Sequence, residues 1–323
     1  MSNPRVLCLG EILYDVLADQ LGRSVSTVDS WTSYPGGAPA NVACALVKLG
    51  TPSAFIGAIG EDKPGKSLVK LLEEVGVDTD GVQLNSEAPT RQVLVTRKEN
   101  GDRIFSGFKD YDTAEFADTR LKAAELPEKL FVNADFLVIG TLELAYPETG
   151  AAVYRALELA SQHNVKILLD VNWRDVFWKN PDAAPDKIRE LIKKVDFLKL
   201  AKEEAELLFN TYDAGAITYR LNSVEGVLVT DGDKGCAYCL GENEDKFSAF
   251  SVPVVDTTGA GDSFVAGFVH QLLQTGIQNL KDAEVVKKII AYASAAGALT
   301  TLKPGAIASQ PTAEEVENFL KEN

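Results

Sequence analysis

Short aliphatic runs alternate along the chain with stretches of helical periodicity. Val6–Leu9, Ala54–Ile59, Phe136–Ile139, Ile167–Leu169, Phe197–Leu200 and Val227–Val229 are near-continuous apolar segments, the pattern of strands buried on both faces. Between them, residues 40–49, 67–75, 148–162 and 203–209 place apolar side chains at helical spacing. The alternation predicts an α/β fold built on a doubly wound, mostly parallel sheet with right-handed crossovers and helices on both faces. Two stretches, 12–35 and 90–110, instead carry β-type alternation, as in Gln92–Thr96, and Glu99-Asn-Gly-Asp102 is a hairpin signal ahead of Arg103–Phe105. They predict either a small β-element inserted into a single domain spanning 1–323, a candidate lid, or an extension of the main sheet. The C-terminal region predicts helices over 260–275, 282–301 and 312–321, the last two separated by a Lys303-Pro-Gly305 turn.

Composition narrows the function classes. A formal net charge of -15 argues against a nucleic-acid partner, which calls for a basic stripe. No apolar run approaches the roughly 18 residues of a membrane span, and Val6–Leu9 is too short for a signal-peptide core, so no membrane is expected and the cytoplasm is the expected location. Four cysteines suit a reducing compartment. Cys236 and Cys239 form a C-x-x-C pair, but on a strand side chains three residues apart point to opposite faces, which predicts structural cysteines rather than a metal or redox pair. His163 lies near a polar helix end, and His270 lies two turns beyond Asp262; neither is a candidate catalyst or metal ligand.

The candidate chemistry lies in Val255-Asp-Thr-Thr-Gly-Ala-Gly-Asp-Ser-Phe-Val-Ala-Gly267, where an extended Phe250–Val255 leads through a small-residue turn into an amphipathic helix. Gly259 and Gly261 permit a tight turn whose amides face an anion, and the helix N-terminus adds unpaired N–H groups. Asp262 stands where a carboxylate can orient a hydroxyl and take its proton, or simply cap the helix. A second segment, Gly36-Gly37-Ala-Pro-Ala-Asn41-Val-Ala-Cys-Ala, opens another helix from paired glycines and offers Asn41 as donor and acceptor. Pro39 also fits plain helix initiation.

GGAPANVA at 36–43 together with DTTGAGD at 256–262 resembles the two signatures of the ribokinase-like (PfkB) carbohydrate kinases. GE-x₃-D at 10–15, GAIGEDKPG at 57–65 and KPGAI at 303–307 fall in the expected order, so the likeness spans the chain. The resemblance implies a Rossmann-like body with a β-sheet lid over the sugar. It also implies Asp262 as catalytic base, with the amides of Gly259, Ala260 and Gly261 forming an anion hole. Asp15, Gly36, Gly37 and Asn41 match sugar-contacting positions. Glu204 matches the glutamate of an N-x-x-E motif associated with hydrated Mg²⁺, although Ala201 replaces the asparagine. Nucleotide contacts are expected from Thr230, Gly232, Lys234 and Gly235 and from the helix of the 290s, and a monovalent cation, K⁺, near Asp256 and Thr258. The implied cofactors are ATP and Mg²⁺, the implied partner a small sugar, and an exposed lid edge would let two chains pair as a homodimer.

Asp170-Val-Asn-Trp-Arg-Asp-Val-Phe-Trp178 follows an apolar strand and resembles the D-x-N-x-R-x-x-x-W segment of fructokinases and 2-keto-3-deoxygluconate kinases, with Arg174 a candidate for phosphate or substrate oxygens. GGAPANVA and GEILYD favour fructokinase, and so does Lys109. It follows Phe108 where relatives carry an aromatic-Tyr-Arg element, and lacks the bidentate fork that a keto acid would use. Other family sugars or nucleosides remain alternatives, as does a non-catalytic sugar-binding regulator on the same scaffold. A competing reading comes from Gly60-Glu-Asp-Lys-Pro-Gly65-Lys66-Ser67, which matches the P-loop pattern in full. Against it stand Glu61 and Asp62, carboxylates in a loop meant for triphosphate, and Pro64, which removes an amide.

Overall fold

The computed structural model describes residues 3–99, 103–109 and 111–323, with Arg103 described by its backbone alone. The strands are β1 (Val6–Leu9), β2 (Leu13–Ala18), β3 (Trp31–Gly36), β4 (Ser53–Gly60), β5 (Asp78–Asn85), β6 (Gln92–Arg97), β7 (Arg103–Phe108), β8 (Phe136–Ile139), β9 (Lys166–Asp170), β10 (Phe197–Ala201), β11 (Gly226–Thr230), β12 (Cys236–Leu240) and β13 (Asn243–Phe247). They form a nine-stranded sheet of order β13-β12-β11-β10-β9-β8-β1-β4-β5 and a separate four-stranded sheet of order β3-β2-β6-β7. The large sheet is parallel from β5 to β11, and only β12 and β13 run antiparallel at one edge. All six strands expected from apolar runs are present. The strands with no such signal, β5 (DTDGVQLN) and β13 (NEDKF), are sheet edges without a wholly buried face.

Alternation along β1 shows how the layers form. Leu7 and Leu9 enter the core on one side of the sheet, while Val6 and Cys8 enter the core on the other. Cys236 and Cys239 divide between the same two cores, as expected for their spacing. Helices Ala38–Lys48 and Lys63–Val75 each begin a few residues earlier than apolar periodicity suggests, because proline occupies the first turn of both. Helices Ala260–Thr275, Ala283–Thr300 and Ala313–Glu322 match their predicted spans closely. No helix among the described residues is long and apolar enough to cross a membrane.

The segments 12–35 and 90–110 build the small sheet, so they are a separate layer rather than an extension of the large one. The hairpin turn expected at Glu99–Asp102 lies largely outside the described residues. Leu13, Leu17, Val93 and Val95 turn one face of this sheet into the main core. A buried cation fastens it further. Arg91 Nε and Nη2 donate to the two oxygens of Asp118 at 2.6 and 2.8 Å. The guanidinium carbon lies 5.1 Å from the ring of Phe108 on β7, 4.6 Å from Phe116, 5.6 Å from Tyr146 and 5.2 Å from Phe177. Aromatic faces attract the cation, so one side chain ties the lid to two loops of the body.

The P-loop look-alike is a tight strand-to-helix turn. Asp62 caps the helix: its carboxylate accepts from the Gly65 amide at 2.8 Å and from the Thr90 amide and hydroxyl at 2.9 and 2.7 Å. A Cβ on Gly65 would lie 2.0 Å from the Gly60 carbonyl oxygen. The helix N-terminus is thus filled by the protein's own anion, and Lys66 points to solvent.

Two outcomes are expected. Arg91→Met should cost about 3–5 kcal/mol, because it strands Asp118 as a buried, unpaired carboxylate; urea unfolding measures this. Lys66→Ala should leave nucleotide affinity unchanged by calorimetry, since nothing in this turn is free to receive a phosphate.

Candidate functional site

β1, β8, β9, β10 and β11 run parallel, so their carboxyl ends share one edge of the large sheet. Gly10, Gly140, Asp170, Ala201 and Thr230 stand at or just beyond those ends, where open α/β sheets bind ligands.

Gly259 and Gly261 are glycines for different reasons. Gly259 caps the helix Ala260–Thr275 in the left-handed region (φ 79°), and a Cβ there would meet Ala306 Cβ at 2.8 Å. Gly261 is exposed, and its Cβ direction points at the Lys199 Nζ, 3.4 Å away. Helix geometry leaves the amides of Gly261 and Asp262 without intrahelical acceptors, so they point outward beside the positive end of a 16-residue helix. The helix Ala283–Thr300 backs the turn: a Cβ on Gly297 would lie 3.0 Å from the Ala260 carbonyl oxygen.

Asp262 meets the first glycine segment directly. Asn41 Nδ2 donates to Asp262 Oδ2 at 2.7 Å across 221 residues of sequence. Burial raises the Asp262 carboxyl from 3.8 to about 6, against the Asn41 hydrogen bond. Asp170 pushes the same way as burial, whereas Lys199 and Arg174 oppose it. A carboxyl with that value is ionised at neutral pH and close enough to a hydroxyl's needs to share its proton.

Lys199 and Asp170 form a buried pair on adjacent strands, with Nζ donating to both carboxylate oxygens at 2.9 and 3.2 Å. Burial works against the ammonium, but Asp170 and Glu204 outweigh it and hold the group above its ordinary range. Glu204 accepts from the Trp173 amide at 2.8 Å and the Ala201 amide at 2.7 Å. Burial raises its carboxyl, and Lys199 partly offsets this. The sequence pattern at 201–206 reads as a solvated helix face, yet Glu204 is buried, so the family likeness located it where periodicity does not. Arg174 is exposed and bonds the Trp173 carbonyl at 3.0 Å, within electrostatic reach of Asp262.

Toward the small sheet, the Gly37 carbonyl accepts from the Asn41 amide at 2.8 Å. Gly37 itself (φ 107°) could carry no Cβ, which would lie 2.5 Å from the Glu11 carbonyl oxygen. A Cβ on Gly36 would come within 3.3 Å of Asp15 Oδ2, so Asp15, both glycines, Asn41 and Asp262 form one connected patch. Glu11 and Glu143 were not singled out by the sequence. Glu11 Oε1 accepts from the Ala38 amide at 2.8 Å, at the N-terminus of the helix that carries Asn41. Glu143 is buried, and no other donor among the described residues reaches its oxygens; burial, then repulsion and a carboxyl–carboxyl hydrogen bond with Glu143, raises the Glu11 carboxyl. Two such carboxyls hold a proton between them. The sequence signal for Glu11 was the GE-x₃-D motif; Glu143 had none. Phe108, half-buried, packs in the aromatic cage around Arg91, while Lys109 is exposed at the end of β7.

Thr230 ends β11 beside Ala201. Gly232–Lys234 is a single 3-10 turn closed by a hydrogen bond from the Asp231 amide to the Gly235 carbonyl at 2.8 Å. Gly235 (φ 103°) abuts the Phe247 carbonyl oxygen, which a Cβ would overlap. Lys202 and Lys234 flank the Asp231 carboxylate at 3.2 and 3.8 Å. Asp256 Oδ1 accepts from the Thr258 amide and hydroxyl at 3.1 and 2.7 Å, and Oδ2 from the Gly305 amide at 2.9 Å. The Asp256 carboxylate thus ties the turn before the cradle to Gly305, and the Thr301 carbonyl accepts from the Val255 and Asp256 amides. Among the described residues no group of three or more His, Cys, Asp or Glu could hold a metal directly.

Comparison with known proteins bears on what this arrangement does. The description "pfkB family carbohydrate kinase" matches residues 3–313. "Probable fructokinase-5" of Arabidopsis thaliana is 34% identical over 323 residues, 99% of this chain and 98% of that protein. Among solved structures, the Xylella fastidiosa fructokinase with bound ATP superposes with a TM-score of 0.88 at 28% identity, covering 98% of each chain. A fructokinase double mutant from Vibrio cholerae O395, in a fructose-, ADP- and potassium-bound form, gives 0.85 at 25% identity over 99% of each chain. With a sheet edge, an amide cradle and a raised carboxyl in that setting, this chain belongs to the pfkB family of carbohydrate kinases.

Proposed function

We propose that the sugar phosphorylated by this ATP-dependent kinase is fructose, at its 6-hydroxyl, with Asp262 as the base. The Asn41–Asp262 hydrogen bond carries the reading, since it joins the sugar-side patch to the amide cradle at one carboxylate. Asp262 accepts the hydroxyl proton as the new oxygen–phosphorus bond forms and the bond from γ-phosphorus to the β-bridging oxygen breaks, leaving ADP. The Gly259–Gly261 turn faces the charge that develops on the transferring group. Arg174 stands ready for phosphate or sugar oxygens, and Thr230, Gly232, Lys234 and Gly235 for the nucleotide. Mg²⁺, held through water by Glu204, would supply charge neutralisation on the phosphates, and K⁺ at Asp256 and Thr258 would stiffen the turn before the cradle.

The choice of fructose draws on charge as well as on full-length likeness to fructokinases. The Asp15 carboxylate and the single negative charge left on the proton-sharing Glu11–Glu143 pair border the sugar side, which suits a neutral polyol and disfavours an acid substrate such as 2-keto-3-deoxygluconate. Asp15, Gly36, Gly37 and Asn41 are the expected sugar contacts, with Phe108 and Lys109 from the lid. The free edges of the small sheet, β3 and β7, are the edges through which two chains would pair. Four buried, unbridged cysteines favour a reducing, cytoplasmic setting.

In an ATP-coupled screen, fructose should give the highest kcat/KM among fructose, 2-keto-3-deoxygluconate, ribose and adenosine; preference for another of these would replace it. Asp262→Asn should lower kcat by about a hundredfold or more with near-normal ATP affinity, and wild-type kcat/KM should rise with pH through about 6 and then level. The same substitution should raise Tm at pH 7.5. The carboxyl binds its proton more tightly folded than unfolded, so its contribution to stability falls as pH rises from 3.8 to about 6. A neutral amide removes that penalty, and scanning calorimetry at pH 5 and 7.5 reads the difference.

A further inference from the structure

We propose that Lys199 is a positioning residue for phosphoryl transfer: its buried ammonium, held by Asp170 directly behind Gly261, keeps Asp262 ionised and backs the amide cradle with positive charge. The proposal rests on Asp262 acting as the base.

Geometry is its first support. Lys199 reaches the cradle from β10, in the middle of the large sheet, and its side chain is 8% exposed. Asp170 on β9 grips Nζ through both oxygens, which fixes the ammonium rather than letting it sweep. From that position Nζ faces the Cβ direction of Gly261, 3.4 Å away. The Gly261 side of the cradle therefore meets a full positive charge.

Charge bookkeeping is the second. Asp170 and Glu204 are buried, the Asp262 carboxyl is half-buried near them, and Lys199 is the buried cation among them. An ion pair serving stability alone needs one partner, and a pair of apolar residues would serve as well. Here the ammonium is shared. The groups facing Asp262 are Asn41 from the helix Ala38–Lys48, Asp170 at the end of β9, Arg174 in the loop beyond it, and Lys199 on β10. Asp170 and burial favour the protonated form; Lys199 and Arg174 favour the base form. Arg174 is exposed to solvent and screened, whereas Lys199 acts through protein. Lys199 is therefore the steadier of the two counterweights.

The test measures kcat/KM for the sugar from pH 5 to 9, together with Tm, for the full chain and five variants. Asp262→Asn comes first: if it keeps wild-type turnover and the acid limb, the base assignment fails, and the role of Lys199 fails with it. With that variant inactive, Lys199→Met should move the acid limb upward by about one pH unit, so that kcat/KM at pH 6 falls about fivefold. Asp170→Asn should move it downward. Lys199→Met leaves Asp170 buried and unpaired and can cost the fold, so the same change is also made in the Asp170→Asn background, where no carboxylate is stranded. K199M/D170N should then titrate at higher pH than D170N. Lys199→Arg, which keeps the charge, should keep the wild-type midpoint. If the lysine variants lower Tm or the active fraction while every midpoint stays with its parent's, Lys199 is structural and the proposal is overturned.

Discussion

The hydrogen bond from Asn41 to Asp262 is the contact on which the site depends, because it makes one unit of two helix starts 221 residues apart. Each start is a glycine turn at the edge of the sheet, and each turn is held open by backbone rather than by side chains. Gly37 lies against the Glu11 carbonyl and Gly259 against Ala306, so neither position admits a Cβ. The bond fixes the distance between the N-terminal ends of the helices Ala38–Lys48 and Ala260–Thr275. Without it, Asp262 would be one desolvated carboxyl at a helix end with nothing to aim it.

Desolvation sets the electrostatics around that bond. The protein carries a formal charge of -15, yet its site must receive a polyphosphate. Backbone amides and a helix dipole supply much of the attraction, as they can without any basic side chain. Lys199 and Arg174 add full charges at the two places where carboxylates would otherwise dominate. Glu11 and Glu143 meet the same difficulty beside the helix Ala38–Lys48, where burial holds a proton between them instead of a cation beside them. Repulsion inside the site is thus relieved by pairing in one half and by protonation in the other.

The small sheet is coupled to this centre by packing. Arg91 gathers rings from β7, the 113–118 loop, and the body around one guanidinium. Phe177, one of those rings, lies three residues beyond Arg174 in the loop that follows β9. The small sheet and the loop that follows β9 therefore share a buried anchor.

Strand and helix order were legible in the sequence because buried parallel strands are wholly apolar and helices repeat their apolar face; the two polar edge strands β5 and β13, which have no such face, were not. The glycine segments, Asp262 and Asn41 were legible as types at suitable spacing, and the family likeness assigned them roles. The P-loop match shows the limit of spacing alone: only the fold puts Asp62 into the helix N-terminus and closes the turn. Lys199 and Glu143 sit within ordinary-looking segments and carry no local signal. What makes each of them matter is a neighbour from a distant part of the chain, Gly261 for one and Gly10 with Glu11 for the other. Sequence by itself determined the layers, the turns and the chemistry on offer; which charges are stripped of water together was decided by tertiary structure, because desolvation belongs to a place in the fold and not to a residue.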